Sequence, residues 1–183
     1  MRIISGKFKG RRIIAPKNLP VRPTTDLSKE SLFNILNQQF TFRELRVLDL
    51  FSGTGSIGIE FLSRGAKRTY FVDSSRDAIK IINENIEKTH FENEAVVLKM
   101  NAKSAIERLQ NEKFDYIYLD PPFDNKNLYI QSVELILDSN ILADDGYLVI
   151  EQVKDLDVDF SKYLSNVKFK NYGNTSIGIW EKK

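Results

Sequence analysis

From Arg46 onward, runs of strand length alternate with stretches of helical periodicity, and few folds accommodate that order. The strand candidates are Val47 to Leu50, Thr69 to Val72, Ala95 to Met100, Phe114 to Leu119 and Tyr147 to Ile150, largely apolar and bounded by polar or glycine-rich segments. Helical stretches lie between them. One is Ser75 to Lys88, which puts Ala78, Ile81, Ile82 and Ile86 on one face. This alternation implies an α/β fold with a mostly parallel sheet covered on both sides. The tail differs: Val167 to Tyr172 and Ser176 to Trp180 are joined only by Gly173-Asn174-Thr175. So short a connection requires antiparallel pairing.

Ahead of this core, Arg2-Ile-Ile4 and Arg12-Ile-Ile14 flank Ser5 to Gly10 and read as a β-hairpin. Pro16, Pro20 and Pro23 then keep the chain extended. A helix is expected to start near Thr25 or Asp26, with Leu32, Phe33, Ile35 and Leu36 on its apolar face. No internal repeat, low-complexity segment or linker interrupts the 183 residues. One domain is expected, with 1–22 as a basic hairpin and extended appendage and 23–183 as the core. The chain has no cysteine, which excludes disulfides and thiolate metal sites. It shows no membrane-length apolar run and no signal-peptide core, so a cytoplasmic protein is expected.

Net charge is only +2, but its distribution is uneven. Arg2, Lys7, Lys9, Arg11, Arg12, Lys17 and Arg22 precede Thr25 with no acidic residue among them. Such a segment can neutralise nucleic-acid phosphates and release counterions, or it can simply keep an exposed edge soluble.

Two motifs carry chemistry. In Asp49-Leu-Phe-Ser-Gly-Thr-Gly-Ser-Ile-Gly58, the first parallel strand runs into Gly-x-Gly-x-x-Gly spacing at Gly53, Gly55 and Gly58. Glycines let a backbone turn sharply against a ligand, and the following helix points free amides at it. Asp49, Phe51, Gly53 and Gly55 are therefore candidate cofactor residues. Asp73, twenty residues after Gly53, can accept from two ribose hydroxyls, with Ser74 beside it, or can cap the next helix. Asn101 can accept from an adenine amino group or be a loop asparagine, and the Ala102 amide is a candidate for adenine N1.

The second motif, Asp120-Pro121-Pro122-Phe123, ends the fourth strand about seventy residues later. An exocyclic base amine is a weak nucleophile because its lone pair is delocalised into the ring. The Asp120 carboxylate and the Pro121 carbonyl can accept its two protons and favour a geometry with the lone pair aimed outward, while Pro122 stiffens the turn. Phe123 offers a face on which a base can stack, worth roughly 1–3 kcal/mol. A base so held is in a loop or flipped from its stack. Beside a cofactor loop, this tetrad suits methyl transfer from S-adenosylmethionine to a base nitrogen better than a Pro-Pro turn of purely structural use. His90, the sole histidine, has no neighbouring ligand set, so no metal is expected. Trp180 reads as sheet packing.

Several segments together resemble the 16S rRNA guanine-N2-methyltransferases of the RsmD type. They are Met1-Arg-Ile-Ile-Ser-Gly-Lys-Phe-Lys-Gly-Arg-Arg12, Arg22-Pro-Thr-Thr-Asp26, Leu32-Phe-Asn-Ile-Leu36, Val47 through Gly55, Leu62-Ser-Arg-Gly-Ala66 and the Asp120 tetrad. The resemblance implies a seven-stranded Rossmann-like class I methyltransferase sheet with an antiparallel last strand. It also implies S-adenosylmethionine as donor and guanine-966 N2 in 16S rRNA as target, within the small ribosomal subunit or an assembly intermediate. On this reading Lys7, Lys9, Arg11 and Arg12 grip RNA, and Arg22 and Thr24 line a wall near cofactor and substrate; a monomer is expected. Three positions depart from the family pattern: Lys29 where arginine is usual, Asn101 where an acidic residue is common, and Phe123 in place of tyrosine. Lys29 lacks the planar fork of arginine.

The rivals are an adenine-N6 DNA methyltransferase, a non-catalytic rRNA-binding assembly factor and a nicotinamide dehydrogenase. The first lacks a DNA-reading domain here and would favour Asn over Asp120. The second would fail to bind S-adenosylmethionine. The third lacks a Tyr/Lys or His catalytic set.

Overall fold

A computed structural model describes residues 1–15, 26–39, 41–122, 125–154, 156 and 158–183. The chain forms helix α1 (Asp26–Gln39), strand β1 (Arg46–Leu50), α2 (Ser56–Ser63), β2 (Arg68–Asp73), α3 (Arg76–Thr89), β3 (Ala95–Lys99) and α4 (Ala102–Arg108). There follow β4 (Phe114–Leu119), α5 (Lys126–Asp138), β5 (Leu142–Val153), β6 (Leu164–Tyr172) and β7 (Thr175–Lys182). The seven strands form one sheet in the order β3-β2-β1-β4-β5-β7-β6. Strands β1 to β5 pair in parallel, and β7 runs antiparallel to both neighbours.

Alternation along the strands divides the core into two layers. Leu48, Leu50, Ile117, Leu119, Leu148 and Ile150 pack on Ala105 and Ile106 of α4 and on Tyr129, Val133 and Ile136 of α5. Val47, Phe71, Tyr116, Tyr118, Val149, Ile177 and Ile179 face the other way, toward Leu32, Phe33, Ile57, Phe61, Ile82 and Ile3. The apolar face expected of α1 is the buried one: Leu32, Phe33 and Leu36 are fully enclosed and Ile35 nearly so. Gly58 opens α2 against the sheet, where an added Cβ would stand 2.3 Å from the Phe71 ring.

Three expectations change. The hairpin at the N-terminus forms in shortened form, with one antiparallel bridge, Arg2 to Arg12, and backbone bonds from Ile3 to Arg11, Gly10 to Ile3 and Ile13 to Met1, while its other outward donors go elsewhere. Ile4 and Ser5 amides donate to the Glu60 carboxylate at 2.8 and 3.0 Å, and Phe8 to Ser63 Oγ at 3.2 Å. Strand β5 is longer than Tyr147 to Ile150, starting at Leu142 through a register shift opposite β4 that absorbs Asp144, Asp145 and Gly146. The last turn is Gly173-Asn174 alone, since Tyr172 pairs with Thr175.

Candidate active site

Strands β1 and β4 are neighbours although five elements, α2 through α4, separate them in sequence, so the sheet's switch point lies between them. Leu50 is in register with Leu119. The glycine loop and the Asp120 tetrad therefore leave the sheet side by side at its C-terminal edge.

The loop is wound tightly. Phe51, Gly53 and Gly55 take positive φ of 64°, 55° and 73°. For a phenylalanine that region is strained, and such strain concentrates at ligand sites. Ser52 pins the turn: its hydroxyl donates to the Asp49 carbonyl at 2.6 Å and accepts from the Val72 amide at 2.9 Å. The Gly53 amide donates to Asp73 Oδ2 at 2.9 Å, and the Ser75 amide to Asp73 Oδ1 at 2.8 Å. Ser75, not Asp73, is the N-cap of α3, its side chain accepting from Ala78. A carboxylate accepts about four hydrogen bonds, so these two leave Asp73 capacity for hydroxyl donors.

A cavity of about 740 Å³ opens beside the loop, lined by Phe51, Asp73, Ser74, Asn101, Ala102 and Pro122 and backed by Val72, Met100, Ile106 and Leu135. It brings together five of the eight expected cofactor residues. Its volume and mixed lining fit a nucleoside-sized ligand. An apolar slot with a carboxylate at the end of β2 and exposed polar atoms at the end of β3 also suits adenosine. Asn101 differs in one respect from expectation: its side-chain oxygen accepts from the Ser104 amide at 2.8 Å as N-cap of α4.

Asp49 does not line the cavity. It is 1% exposed beneath the loop and accepts from the Gly58 amide at 3.1 Å. Burial raises its carboxyl to about 7, outweighing the lowering effect of the Gly58 bond, with a further upward push from Asp73. The folded state thus holds a proton that the unfolded chain releases above its ordinary value of 3.8. The stabilisation is full at low pH and is lost as pH rises through about 7. Asp49→Asn should therefore flatten the decline in urea-unfolding free energy between about pH 4 and 7. An unchanged slope would mean that Asp49 ionises normally in the fold.

Asp120 is half-buried, Pro121 buried and Pro122 exposed at the cavity rim. Phe123 lies outside the described residues, as do Arg22 and Thr24. Lys7, Lys9, Arg11 and Arg12 are exposed on one turn packed against the C-terminal ends of α2 and α3. Phe8 anchors it, stacking edge-on to Phe91 at 5.1 Å with the Arg11 guanidinium 4.6 Å from its ring. Arg11 also donates to the Lys88 carbonyl.

Asn85 and Glu60, both missed in the sequence, tie this basic turn to the loop together with Lys29. Asn85 of α3, fully buried, accepts from the Ile14 amide at 2.7 Å and donates to the Thr54 carbonyl at 3.0 Å. Glu60 and Lys29 are buried as an ion pair at 3.4 Å, with Lys29 donating to the Arg2 carbonyl at 2.6 Å. A lone carboxylate inside the apolar helix Ser-Ile-Gly-Ile-Glu-Phe-Leu-Ser was the available signal. Among the described residues no group of three or more His, Asp or Glu could hold a metal ion, and no helix is long and apolar enough to cross a membrane.

The family model described as Conserved hypothetical protein 95 matches residues 1–181. The chain belongs to this family. A family relative by sequence, the Ribosomal RNA small subunit methyltransferase D of Haemophilus influenzae, is 31% identical over 183 residues, covering 99% of this chain and 93% of its own. The protein of the same name from Escherichia coli is 31% identical, covering 82% of this chain and 74% of its own. A solved structure of a conserved hypothetical protein from Streptococcus pyogenes matches with TM-score 0.75 at 32% identity, over 85% of this chain and 95% of that one. A Thermus thermophilus hypothetical protein matches with TM-score 0.84 at 23% identity over 99% of both chains, a likeness of fold. The RsmD-type resemblance and the Rossmann-like methyltransferase fold are both borne out.

Proposed function

We propose that this single-domain protein transfers a methyl group from S-adenosylmethionine to N2 of a guanine in 16S rRNA, the position of guanine-966 type. The observation that carries this reading is the register of Leu50 with Leu119, which sets a cavity-forming cofactor loop beside an amine-holding tetrad. The names of the relatives, small subunit methyltransferases, supply the substrate class.

When bound, S-adenosylmethionine supplies an electrophilic methyl group. Phe51, Gly53, Gly55, Asp73, Ser74, Asn101 and Ala102 would hold it, with Asp49 supporting the loop from below. Asp120 and the Pro121 carbonyl accept the two amine protons, Pro122 fixes the turn and Phe123 stacks on the base. This arrangement works by orientation. After transfer, N2 carries one proton too many and is acidic enough to lose it without a dedicated base. Lys7, Lys9, Arg11 and Arg12, with Arg22 and Thr24, contact the RNA. The reading includes a monomer acting in the cytoplasm, without metal, on small subunits or their assembly intermediates.

The test is to incubate the protein with labelled S-adenosylmethionine and unmethylated small subunits, then identify the product nucleoside by mass spectrometry. N2-methylguanosine in 16S rRNA is expected. Cofactor binding with no transfer would favour an assembly factor, and label on adenine of DNA would favour the N6 enzyme.

A further inference from the structure

The chemistry above leaves one buried carboxylate at the tetrad unused. Ile150 of β5 is in register with Leu119 of β4, so the next residues, Glu151 and Asp120, lie side by side where the base would sit. Asp49, Tyr118 and Val149 are register partners across β1, β4 and β5 and share one face of the sheet. Glu151, two residues past Val149, returns to that face. Two tyrosines fix it. The Tyr118 hydroxyl donates to Glu151 Oε2, and the Tyr129 hydroxyl donates to the Glu151 carbonyl at 3.1 Å. Burial raises the Tyr118 phenol well above its ordinary value, and the charges of Glu151 and Asp120 raise it further, so it stays a donor at neutral pH. Glu151 is thus held through the Tyr118 hydroxyl on the strand that runs into Asp120.

Guanine's Watson–Crick edge presents three N–H donors in a row, one on N1 and two on N2. Asp120 and the Pro121 carbonyl take the N2 pair. We propose that Glu151 accepts the N1–H and confines the site to guanine. Adenine presents an unprotonated N1 beside its amine, and a carboxylate facing that lone pair repels it. A pocket built around a buried hydrogen bond rejects an analogue that cannot make it by large factors, because its own polar group is left unmatched. This assignment rests on guanine N2 being the acceptor.

The test uses small subunits reconstituted with guanine or 2-aminopurine at the methylated position. 2-Aminopurine keeps the amine but has an unprotonated N1. The wild type should favour guanine by roughly 100-fold or more in kcat/KM. Glu151→Gln should lose most of that preference, because its amide can donate to an unprotonated N1. S-adenosylhomocysteine affinity should stay within a few-fold, since Glu151 does not line the cavity. If the Gln variant does not fold, Tyr118→Phe serves instead, expected to narrow the preference roughly tenfold by freeing the carboxylate's orientation. An unchanged guanine preference, or an equal loss on both bases, overturns the role of Glu151 alone. Absence of N2-methylguanosine with the wild type overturns the parent reading and this one together.

Discussion

Asp120→Ala is expected to lower single-turnover methyl transfer by roughly 10³-fold or more while leaving S-adenosylhomocysteine affinity within a few-fold. The split follows from where the side chain sits. Asp120 is half-buried at the end of β4, and the cavity is lined by Pro122 rather than by Asp120. Removing the carboxylate therefore takes nothing from the cofactor's walls. On the proposed mechanism it removes an acceptor that turns the amine lone pair toward the methyl, an interaction whose value is greatest in the transition state. Asp120→Asn should fall between wild type and alanine, since its amide oxygen still accepts one proton. Calorimetric titration with S-adenosylhomocysteine and quench-flow transfer measure the two quantities separately. Loss of binding in the alanine variant would give Asp120 a structural role at the strand end.

What the sequence made legible, and what it hid, divide along the range of the interactions. Largely apolar runs located the five parallel strands, most of them buried on both sheet faces, and the short Gly173-Asn174-Thr175 connection located the last two, of which the edge strand β6 is largely exposed. The helix from Ser75 was legible from its period and from its serine cap. Strand β5 was underestimated because Asp144-Asp145-Gly146 has turn composition, whereas the sheet takes it up as an irregularity. The N-terminal hairpin forms but is shorter than its β-branched runs suggest, because the amides of Ile4 and Ser5 find a carboxylate 55 or more residues away, which no local pattern encodes. Asn101 shows the same competition at shorter range, its oxygen engaged by Ser104 three residues on. Glu151 was passed over because an acidic residue after a Val-Ile pair looks like an exposed strand end, yet it is only 6% exposed.

Lys29→Met should destabilise the protein by about 3 kcal/mol or more, read from urea or thermal unfolding. Lys29 and Glu60 are both fully buried, their charged atoms 3.4 Å apart. Lys29 Nζ also donates to Ser56 Oγ at 3.1 Å, at the start of the helix that follows the glycine loop. Without the ammonium, Glu60 keeps Arg64, whose Nε lies 2.8 Å from Oε1, but loses the cation on Oε2. A buried carboxylate stripped of one partner is penalised far more than the intact pair is rewarded. The double variant Lys29→Met, Glu60→Gln should therefore recover part of the loss, the mark of direct coupling. Lys29→Arg restores the cation and should retain most of the stability. Because Glu60 also holds the amides of Ile4 and Ser5, the methionine variant should loosen the turn that presents Lys7 to Arg12. On the proposed function, affinity for small subunits would then fall more than stability alone explains. Full stability in Lys29→Met would mean that Arg64 alone neutralises Glu60, and that the N-terminal segment is held by its backbone contacts and the packing of Ile3 and Ile13.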